Sequence, residues 1–324
     1  MEQVKGIQEL TCRLSHSGTH SGVRPLVHPV VTIGNFDGVH LGHQKIIQLA
    51  LNQARAKNGT CVAYTFRPHP QIALKPENQV QLLSTYDEKI EILESLGVDL
   101  LVEEPFSREF STLSAEQFFR RVLLRQLGAE VIVVGYDFAF GKERNGHLNA
   151  LEALCQEASV KLVVVPPQRF GEEVASSSRI RQHLMSGNIP AATQLLGREF
   201  FYRGVVIHGE GRGRKMGFPT ANLKLENKLA LPKGVYATWA VRGKVKFPSV
   251  TNIGVRPTFS DGTKELPVLV ETHLLNEIVD LYGTTLEVRF VAKLREERKF
   301  SGVEELKAQI GLDAQHAANH LSSA

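Results

Sequence analysis

A run of glycines and histidines between residues 34 and 43 has the composition of a phosphate-binding turn. It reads Gly-Asn-Phe-Asp-Gly-Val-His-Leu-Gly-His, follows the apolar, β-branched stretch 30–33 and precedes an amphipathic segment. This layout predicts a strand, a tight glycine turn and a helix start. Gly34, Gly38 and Gly42 let backbone approach a ligand closely. The free N–H groups of a helix N-terminus bind anions, so the run indicates a phosphate site.

Two histidines in this run indicate what is done to the phosphate. His40 and His43 are three residues apart, which predicts that both imidazoles lie on one face of the first helical turn. Imidazoles donate hydrogen bonds to phosphate oxygens, and the helix dipole adds positive potential. A reaction at phosphorus needs the phosphate held in line with an attacking oxygen and its developing charge neutralised. A single histidine near a helix start is usually structural, so the prediction depends on the whole pattern.

The composition sets broad limits on function. The chain has 324 residues, 42% of them hydrophobic and 22% charged, and a formal charge of +4. It is long enough for two domains, and its slight positive charge suits anionic small molecules without arguing for nucleic acid. Cys12, Cys61 and Cys155 are widely separated, which predicts reduced thiols and no cysteine metal site. We expect a cytoplasmic protein without a membrane span or signal peptide.

Strand-like and helical patterns alternate in the first half of the chain. This alternation predicts a parallel sheet with helices on both faces, and ligands bind such sheets at the carboxyl ends of the strands. Ser114 and Gln117 have the spacing of a helix capping box. The first 28 or so residues are rich in Ser, His and Gly and are expected to be partly loose. Strands are predicted at 30–33, 61–66, 100–103, 131–135 and 161–165, and helices near 44–57, 87–96, 115–127 and 148–158.

From about residue 200 the pattern changes to successive strands joined by Gly, Pro and Asn turns, followed by one late helix. The expected fold class is therefore an α/β, Rossmann-like first domain with a parallel sheet, then a mainly antiparallel β-barrel with a late helix. We expect domains over 1–186 and 199–324, joined by a connector over 187–198. The barrel strands are predicted at 201–208, 235–242, 246–252, 269–274 and 286–293, and the late helix at 303–310.

A second glycine-rich loop, residues 209–217, carries three positive charges and precedes Phe-Pro-Thr-Ala-Asn. Its backbone amides could cradle phosphates. Thr220 and Asn222 offer neutral oxygens of the kind that Mg²⁺ accepts beside waters and substrate phosphates. The chain has neither a Walker A pattern nor a His-Arg-Asp loop, so a kinase here belongs to neither common kind. A basic RNA-binding patch is the alternative, but no aromatic stacking platform accompanies it.

Glu271 lies in an otherwise apolar strand pattern. A carboxylate near buried surface often has a raised pKa and is a candidate general base. The alternative is a solvent-facing glutamate on an edge strand.

Taken together, these motifs resemble a known family. The 34–43 run resembles the signature of the HxGH nucleotidyltransferases and, more narrowly, the form found in the prokaryotic bifunctional riboflavin kinase/FAD synthetases. The 209–222 region resembles the riboflavin kinase signature of the same family. Further segments similar to family motifs are 65–70 (Thr-Phe-Arg-Pro-His-Pro), 135–141 (Gly-Tyr-Asp-Phe-Ala-Phe-Gly), 175–181 (Ala-Ser-Ser-Ser-Arg-Ile-Arg), 252–259, 271–273, 280–283 and 295–300.

In the first half, the resemblance implies that His40 and His43 stabilise the transition state of adenylyl transfer, assisted by Arg181. Arg181 lies one turn after the hydroxyls of Ser177 and Ser178, which suits triphosphate binding. The alternative is a serine N-cap with a solvated arginine. Nucleotide- and flavin-binding residues implied for this half are Gly34, Asn35, Phe36, Asp37, Gly42, Asp137, Ser177 and Ser178.

In the second half, the resemblance implies that Glu271 takes the proton from the riboflavin 5′-hydroxyl as it attacks the γ-phosphate of ATP. Thr220 and Asn222 are the implied Mg²⁺ ligands. Nucleotide- and flavin-binding residues implied for this half are Gly211, Gly213, Lys215, Gly217, Pro219, Arg256 and Arg295.

Three positions depart from the family pattern. Ser178 stands where threonine is usual, Arg67 where an acidic residue is commoner, and Ala139 where arginine is commoner. These departures affect details of flavin or nucleotide contact rather than the reaction class.

The implied function is FAD synthesis in two steps, from riboflavin to FMN and from FMN to FAD. Its substrates are ATP, riboflavin and FMN, with Mg²⁺ accompanying ATP, and FMN and FAD are substrate and product rather than prosthetic groups. No nucleic-acid partner is expected, and homo-oligomers are compatible with the sequence. The alternatives are an HxGH transferase with another acceptor, such as pantetheine phosphate or a nicotinate nucleotide, and a non-catalytic flavin- or RNA-binding module.

Overall fold

The structure is a computed structural model that describes residues 1–15, 25–75, 80–209, 211–225, 228–255, 268–277 and 279–322. The chain divides into two compact units, Met1–Ser176 and Ser177–Ala324. The predicted domain limits and the connector at 187–198 lie after this division and stay a prediction.

The first unit is built on a parallel sheet, as the sequence predicted. Within the described residues its strand order is β1-β4-β3-β2-β5-β6, and every pairing is parallel. Successive side chains of β2 enter different cores, since Val31 and Ile33 pack on one face of the sheet and Val30 on the other. The strands are β1 Glu2–Val4, β2 Val30–Ile33, β3 Cys61–Arg67, β4 Leu100–Pro105, β5 Val131–Gly135 and β6 Lys161–Val165.

Helices cover the sheet near the predicted places. Ser114 and Gln117 form the predicted capping box, but only Ala115–Phe118 is α-helical, and Phe119–Gln126 continues as a π-helix. A small hairpin, β7 Arg169–Phe170 and β8 Glu173–Val174, was not predicted. The helices of this unit are α1 Gly6–Ser15, α2 Leu41–Arg55, α3 Pro70–Leu74, α4 Tyr86–Ser95, α5 Ala115–Phe118 and α6 Leu148–Glu157, with short 3₁₀ turns at Asp37–Val39, Phe110–Thr112 and Lys142–Arg144.

The first 28 or so residues were expected to be partly loose, and residues 1–15 are ordered, with strand β1 and helix α1. Strand β1 pairs with β4, and the Leu10 side chain is fully buried. The backbone N–H of Ile7 donates a 2.9 Å hydrogen bond to Glu104 on β4. Sheet pairing and core burial hold this segment, and neither contact is visible in local composition. Residues 16–24 lie outside the described part of the chain.

The second unit contains the predicted barrel. Its described strands close in the order β10-β13-β12-β11-β14-β9, with antiparallel pairing throughout. Strand β10 was not predicted as a strand, because it is short and coincides with the Pro-Thr-Ala-Asn motif. The elements of this unit are α7 Ser177–Met185, α8 Ile189–Leu196, β9 Phe200–Ile207, α9 Arg212–Lys215, β10 Ala221–Leu225, β11 Gly234–Arg242, β12 Val245–Val255, β13 Val268–Leu274, β14 Thr285–Arg295 and α10 Val303–Ser322.

Helix α10 extends well beyond the predicted 303–310. Its later turns are held by packing, since Ala317 and Leu321 are buried in an apolar cluster with Val235 and Val250 of the barrel wall. No helix in the described ranges has both the length and the apolar character that crossing a membrane requires.

Candidate functional site

The glycine–histidine run forms a strained, buried turn at the carboxyl end of β2. Phe36, Gly38 and Val39 have φ values of +49°, +74° and +38°. Positive φ costs a non-glycine residue of order 1–3 kcal/mol, and it persists where surrounding structure imposes it. Phe36 and Val39 are both fully buried, so core packing holds this conformation. Strain of this kind is concentrated at functional sites.

Asp37 ties the turn to a neighbouring segment. Its buried carboxylate accepts hydrogen bonds from the backbone N–H groups of Leu83 (2.9 Å) and Ser84 (3.4 Å). In return, the Ser84 hydroxyl accepts one from the N–H of Gly38 (3.1 Å). The sequence predicted that Asp37 shapes the nucleotide pocket, and the structure gives it the means to do so by fixing the turn.

The two histidines are in direct contact. Their ring centroids are 3.8 Å apart, with an interplanar angle of 24°. His40 was expected in the first helical turn, but it is the N-cap of α2. Its Nδ1 accepts a hydrogen bond from the N–H of Gly42 (3.2 Å). An accepting Nδ1 places the ring proton on Nε2, so the neutral ring presents one N–H donor.

The surroundings of His43 favour its neutral form. Burial first, and then the proximity of His40 and Lys89, hold the pKa of His43 well below its usual value. The Phe36 ring meets it edge-on, at 5.4 Å between centroids. Within the described residues, its buried Nδ1 has no hydrogen-bond partner. The histidine pair can therefore offer hydrogen bonds to a phosphate but little permanent charge.

Two glycines of the turn are required by packing within the protein. A Cβ on Gly42 would lie 3.0 Å from Cε1 of His40 and 3.4 Å from the carbonyl oxygen of Ala175. A Cβ on Gly34 would lie 3.0 Å from the Phe36 ring. The two 3.0 Å contacts, with the His40 and Phe36 rings, are tighter than van der Waals distance, so a side chain at either glycine would displace part of the site.

Other predicted residues lie on this same edge of the sheet. The Asn35 carbonyl oxygen accepts a hydrogen bond from the hydroxyl of Thr65, at the end of β3 (3.3 Å). Asp137 is exposed and follows β5, which pairs with β2. Two aromatic rings after it, Phe138 and Phe140, stack at 5.3 Å.

Arg67, one of the departures from the family pattern, has acidic and aromatic neighbours. Its guanidinium lies 3.7 Å from Glu103 and 3.9 Å from Asp87, and 4.7 Å above the ring of Tyr86. A positive charge at position 67 is thus matched by nearby carboxylates.

Ser177, Ser178 and Arg181 lie on α7, the first helix of the second unit. Helix α7 begins at Ser177, so Ser177 and Ser178 are its first two helical residues rather than its N-cap. Their approach to the histidines stays a prediction.

In the second unit, three polar residues form a row across neighbouring strands. Asn222 of β10 lies directly opposite Glu271 of β13, which in turn lies opposite Asn252 of β12. Directly opposed residues point to the same face, with Cβ atoms about 4.5–5.5 Å apart. Asn222 is 6% exposed, and Thr220 comes just before its strand. The predicted Mg²⁺ ligand Asn222 and the predicted base Glu271 are therefore neighbours.

The glycine-rich loop folds back onto this row. The N–H of Phe218 donates to the carbonyl of Gly213 (2.9 Å), and a Cβ on Gly209 would lie 2.4 Å from the Asn222 amide. His273 donates through Nδ1 to the carbonyl of Pro219 (2.9 Å), and its ring meets Phe218 edge-on. The loop and β13 are thus joined beside Glu271. Gly211 and Gly217 have φ values of +66° and +91°, which glycine adopts readily.

For three other predicted binding residues, the structure shows no place in this row. Arg256 lies outside the described residues, and so does the side chain of Lys215, although its backbone belongs to α9. Arg295 makes a bidentate pair with the buried Asp313 of α10, with N–O distances of 2.9 and 2.7 Å. This pair attaches α10 to the barrel, and a ligand contact by Arg295 stays a prediction.

Sequence reasoning missed two residues at these sites. Lys89 of α4 is 4% exposed and donates to the hydroxyl of Thr65 (3.1 Å). Its signal was its spacing, since it lies four residues before the buried Leu93 on the core face of the helix. Asn252 was noted only as part of a motif, and its place beside Glu271 follows from strand register.

Across the described ranges, no cluster of three or more His, Cys, Asp or Glu side chains could hold a metal ion. None of the three cysteines forms a disulfide, and burial raises the pKa values of Cys61 and Cys155 to about 12 and about 11.

Comparison with known proteins agrees with this two-site arrangement. Residues 26–179 match the FAD synthetase family model, and residues 196–321 match the riboflavin kinase model. Two curated relatives are named bifunctional riboflavin kinase/FMN adenylyltransferase. The one from Bacillus subtilis is 37% identical over 91% of this chain and 93% of its own length. The one from Escherichia coli K12 is 36% identical over 88% of this chain and 90% of its own.

A solved structure has the same fold over nearly the full length. A crystal structure from Streptococcus pneumoniae, described as a macrolide-efflux protein, has a TM-score of 0.84 and 29% identity, covering 98% of each chain. The histidine turn lies within the residues that match the first family model, and the Asn222–Glu271–Asn252 row lies within those that match the second. The chain belongs to the bifunctional riboflavin kinase/FMN adenylyltransferase family.

Proposed function

We propose that this chain makes FAD in two steps at two separate sites. The second unit phosphorylates riboflavin with ATP, giving FMN and ADP, and the first unit joins FMN to AMP from a second ATP, giving FAD and pyrophosphate. The observation that carries this proposal is that each unit has its own cluster of polar side chains: the stacked histidines on the strained turn, and the Asn222–Glu271–Asn252 row beside the glycine-rich loop.

In the kinase step, the 5′-hydroxyl oxygen of riboflavin attacks the γ-phosphorus of ATP. The bond between the γ-phosphorus and the bridging oxygen breaks, and ADP leaves with that oxygen. Glu271 accepts the hydroxyl proton. Its neighbour Asn222, held by the glycine loop, presents an amide to the phosphates. Backbone N–H groups of the glycine-rich loop bind the phosphates, because the glycines at positions 211, 213 and 217 let a phosphate approach the backbone closely.

Magnesium fits this arrangement. Thr220 and Asn222 would hold the ion beside ATP oxygens, since hydroxyl and amide oxygens suit a hard cation that keeps several waters. The described residues contain no acidic cluster that would make a dedicated metal cage, so the site is suited to a cation arriving with nucleotide. When bound, Mg²⁺ neutralises phosphate charge.

In the adenylyl step, an oxygen of the FMN phosphate attacks the α-phosphorus of ATP and pyrophosphate leaves. His40 donates through Nε2, and neutral His43 donates beside it, toward oxygens that gain charge in the transition state. The first turn of α2 adds the positive end of the helix dipole. The family resemblance assigns Ser177, Ser178 and Arg181 to triphosphate binding in this step.

The test is an assay of the purified chain with riboflavin, ATP and Mg²⁺, followed by chromatography of the flavins. We expect FMN first and FAD after it, and we expect FAD alone when FMN replaces riboflavin. Formation of neither flavin would contradict the proposal. We also propose a cytoplasmic location for this protein. We further propose that it can form homo-oligomers, and measurement of its molecular mass in solution would test this.

A further inference from the structure

A buried lysine lies beneath the strained turn of the first unit. Lys89 is 4% exposed, which is rare for a lysine because removing an ammonium from water is costly. Its Nζ donates a 3.1 Å hydrogen bond to the Thr65 hydroxyl, which donates at 3.3 Å to the carbonyl oxygen of Asn35. A chain of two hydrogen bonds thus joins the ammonium to the backbone of the turn that leads to the histidines.

Charged groups from every neighbouring element face this ammonium. Glu103 of β4 and Asp37 of the turn are negative and favour its protonated form, whereas Arg67 of β3 opposes it. The ring of Tyr86 on α4 lies 5.2 Å from Nζ. Glu103 is 3% exposed, and within the described residues its Oε1 has no hydrogen-bond partner. The two carboxylates therefore hold a positive charge at this depth.

The ammonium also acts on His43 of α2. Its positive charge is one cause of the lowered pKa of His43, after burial and after His40. A neutral His43 keeps a lone pair or an N–H for the substrate and does not repel a protonated neighbour. Loss of the Lys89 charge would remove part of this effect.

Lys89 can donate further hydrogen bonds, and its side chain lines a small cleft. An ammonium carries three protons, and among the described residues Nζ donates one hydrogen bond. The cleft has a volume of about 10 Å³, room for one water, and is lined by polar groups. These lining groups include Asn35, Asp37, His69, Ser84, Tyr86 and Lys89.

We propose that Lys89 is a positioning residue for adenylyl transfer, whose protonated ammonium fixes the Asn35–Asp37 turn through Thr65. The inference rests on the proposed function of the first unit. Lys89 acts through Thr65 and need not touch either substrate.

The charge of Lys89 gives this role a pH signature. Burial lowers the pKa of Lys89 to about 8, with Glu103 and Asp37 opposing the shift. Its protonated form is fully present below that pH and is lost above it. Burial raises the pKa values of Tyr64 and Tyr86 and raises that of Cys61 to about 12, so none of these groups gains or loses a proton near pH 8. We therefore expect kcat/KM for FMN to fall above about pH 8.

The experiment measures FAD formation from FMN and ATP between pH 6.5 and 9.5, for the full chain and three variants. Lys89→Met should lower kcat/KM by about 10²-fold at pH 7 and abolish the alkaline fall, as expected for loss of a charged group that orients a site. Lys89→Arg keeps the charge and should retain more activity than Lys89→Met, with the fall displaced beyond pH 9.5. Thr65→Val breaks the link between the ammonium and Asn35, so it should lower kcat at pH 7 and weaken the alkaline fall, because the charge of Lys89 no longer reaches the turn.

Controls separate this inference from folding and from the proposed function. Lys57→Met removes a half-exposed lysine of the same unit and should leave the profile unchanged. A thermal melt reports whether each variant is folded, and FMN formation by the second unit serves as the reference activity that should not change. If Lys89→Met does not fold, the arginine and valine variants decide. The inference is overturned if a folded Lys89→Met variant keeps the wild-type rate, or if either lysine variant keeps the fall near pH 8. If the wild-type chain makes FMN but no FAD, the proposed function itself fails.

Discussion

The two candidate sites are built in different ways. The first depends on a strained, buried turn, where Phe36 and Val39 adopt positive φ and the histidine rings are packed against their neighbours. The second depends on strand register, which places Asn222, Glu271 and Asn252 in a row on one face of a barrel. A packed turn should be sensitive to small changes of volume, whereas a row on a rigid barrel should be sensitive mainly to loss of a functional group.

The largest expected effect is on the kinase side. Glu271→Gln should lower the rate of FMN formation by about 10³-fold, within the range attributed to a positioned general base. FAD formation from added FMN should stay within about twofold of wild type, because the histidine site lies in the other unit. Steady-state assays with riboflavin and with FMN measure both rates.

Glu277→Gln is the matched control, since Glu277 is an exposed glutamate shortly after β13. It should change neither rate. Loss of both activities in Glu271→Gln would contradict the independence of the two sites.

The mirror-image change is His43→Ala. It should lower FAD formation from FMN by about 10²–10³-fold, since it removes a preorganised donor and opens a cavity beside His40. FMN formation from riboflavin should persist. Accumulation of FMN without FAD, followed by chromatography, is the expected observation, and wild-type FAD output would remove His43 from the mechanism.

A substitution at Asp313 tests how firmly helix α10 is attached to the barrel. Asp313→Asn breaks the pair with Arg295, and breaking a buried pair costs about 3 kcal/mol of the free energy of unfolding. Denaturant unfolding followed by the fluorescence of Trp239, the single tryptophan and a barrel residue, measures the loss.

The control is Glu305→Gln, which removes the exposed ion pair with Arg298 at 3.6 Å. Exposed pairs contribute little to stability because solvent screens them, so this variant should unfold near wild type. Equal stability of the Asp313 variant and wild type would show that Arg295 does not hold α10.

The smallest expected effect tests the packed turn directly. Gly42→Ala places a methyl 3.0 Å from the His40 ring and should lower FAD formation about tenfold by displacing that ring a few tenths of an ångström. Gly311→Ala is the matched helical control, because a Cβ there meets no atom within 4 Å. The control should leave both activities unchanged and stabilise α10 by about 0.5–1 kcal/mol. Equal FAD rates for Gly42→Ala and Gly311→Ala would refute the close packing.

The sequence predicted those features that depend on local pattern. Apolar runs located β2 and β5, and the barrel strands except β10, because each run buries its own side chains. The pairing of His40 with His43 followed from spacing, although the N-cap role of His40 did not. The glycine–histidine motif and the glycine-rich loop could be recognised in the sequence, because the residues of each are consecutive in the chain.

Features that depend on distant contacts were beyond the sequence. Residues 1–15 looked loose, yet Ile7 bonds to Glu104, 97 positions away. The neighbour relation of Asn222 with Glu271 depends on register, and the link from Lys89 to Thr65 crosses from α4 to β3. Such contacts become apparent only when the sheet order is known.

The most direct test of two sites with two different phosphate cleavages is a labelling experiment on the wild-type chain. Riboflavin is incubated with ATP labelled at either the α- or the γ-phosphate, and the flavins are separated and counted. The account predicts γ-label in both FMN and FAD, and α-label in FAD alone. Absence of α-label from FAD, or of γ-label from FMN, would contradict it.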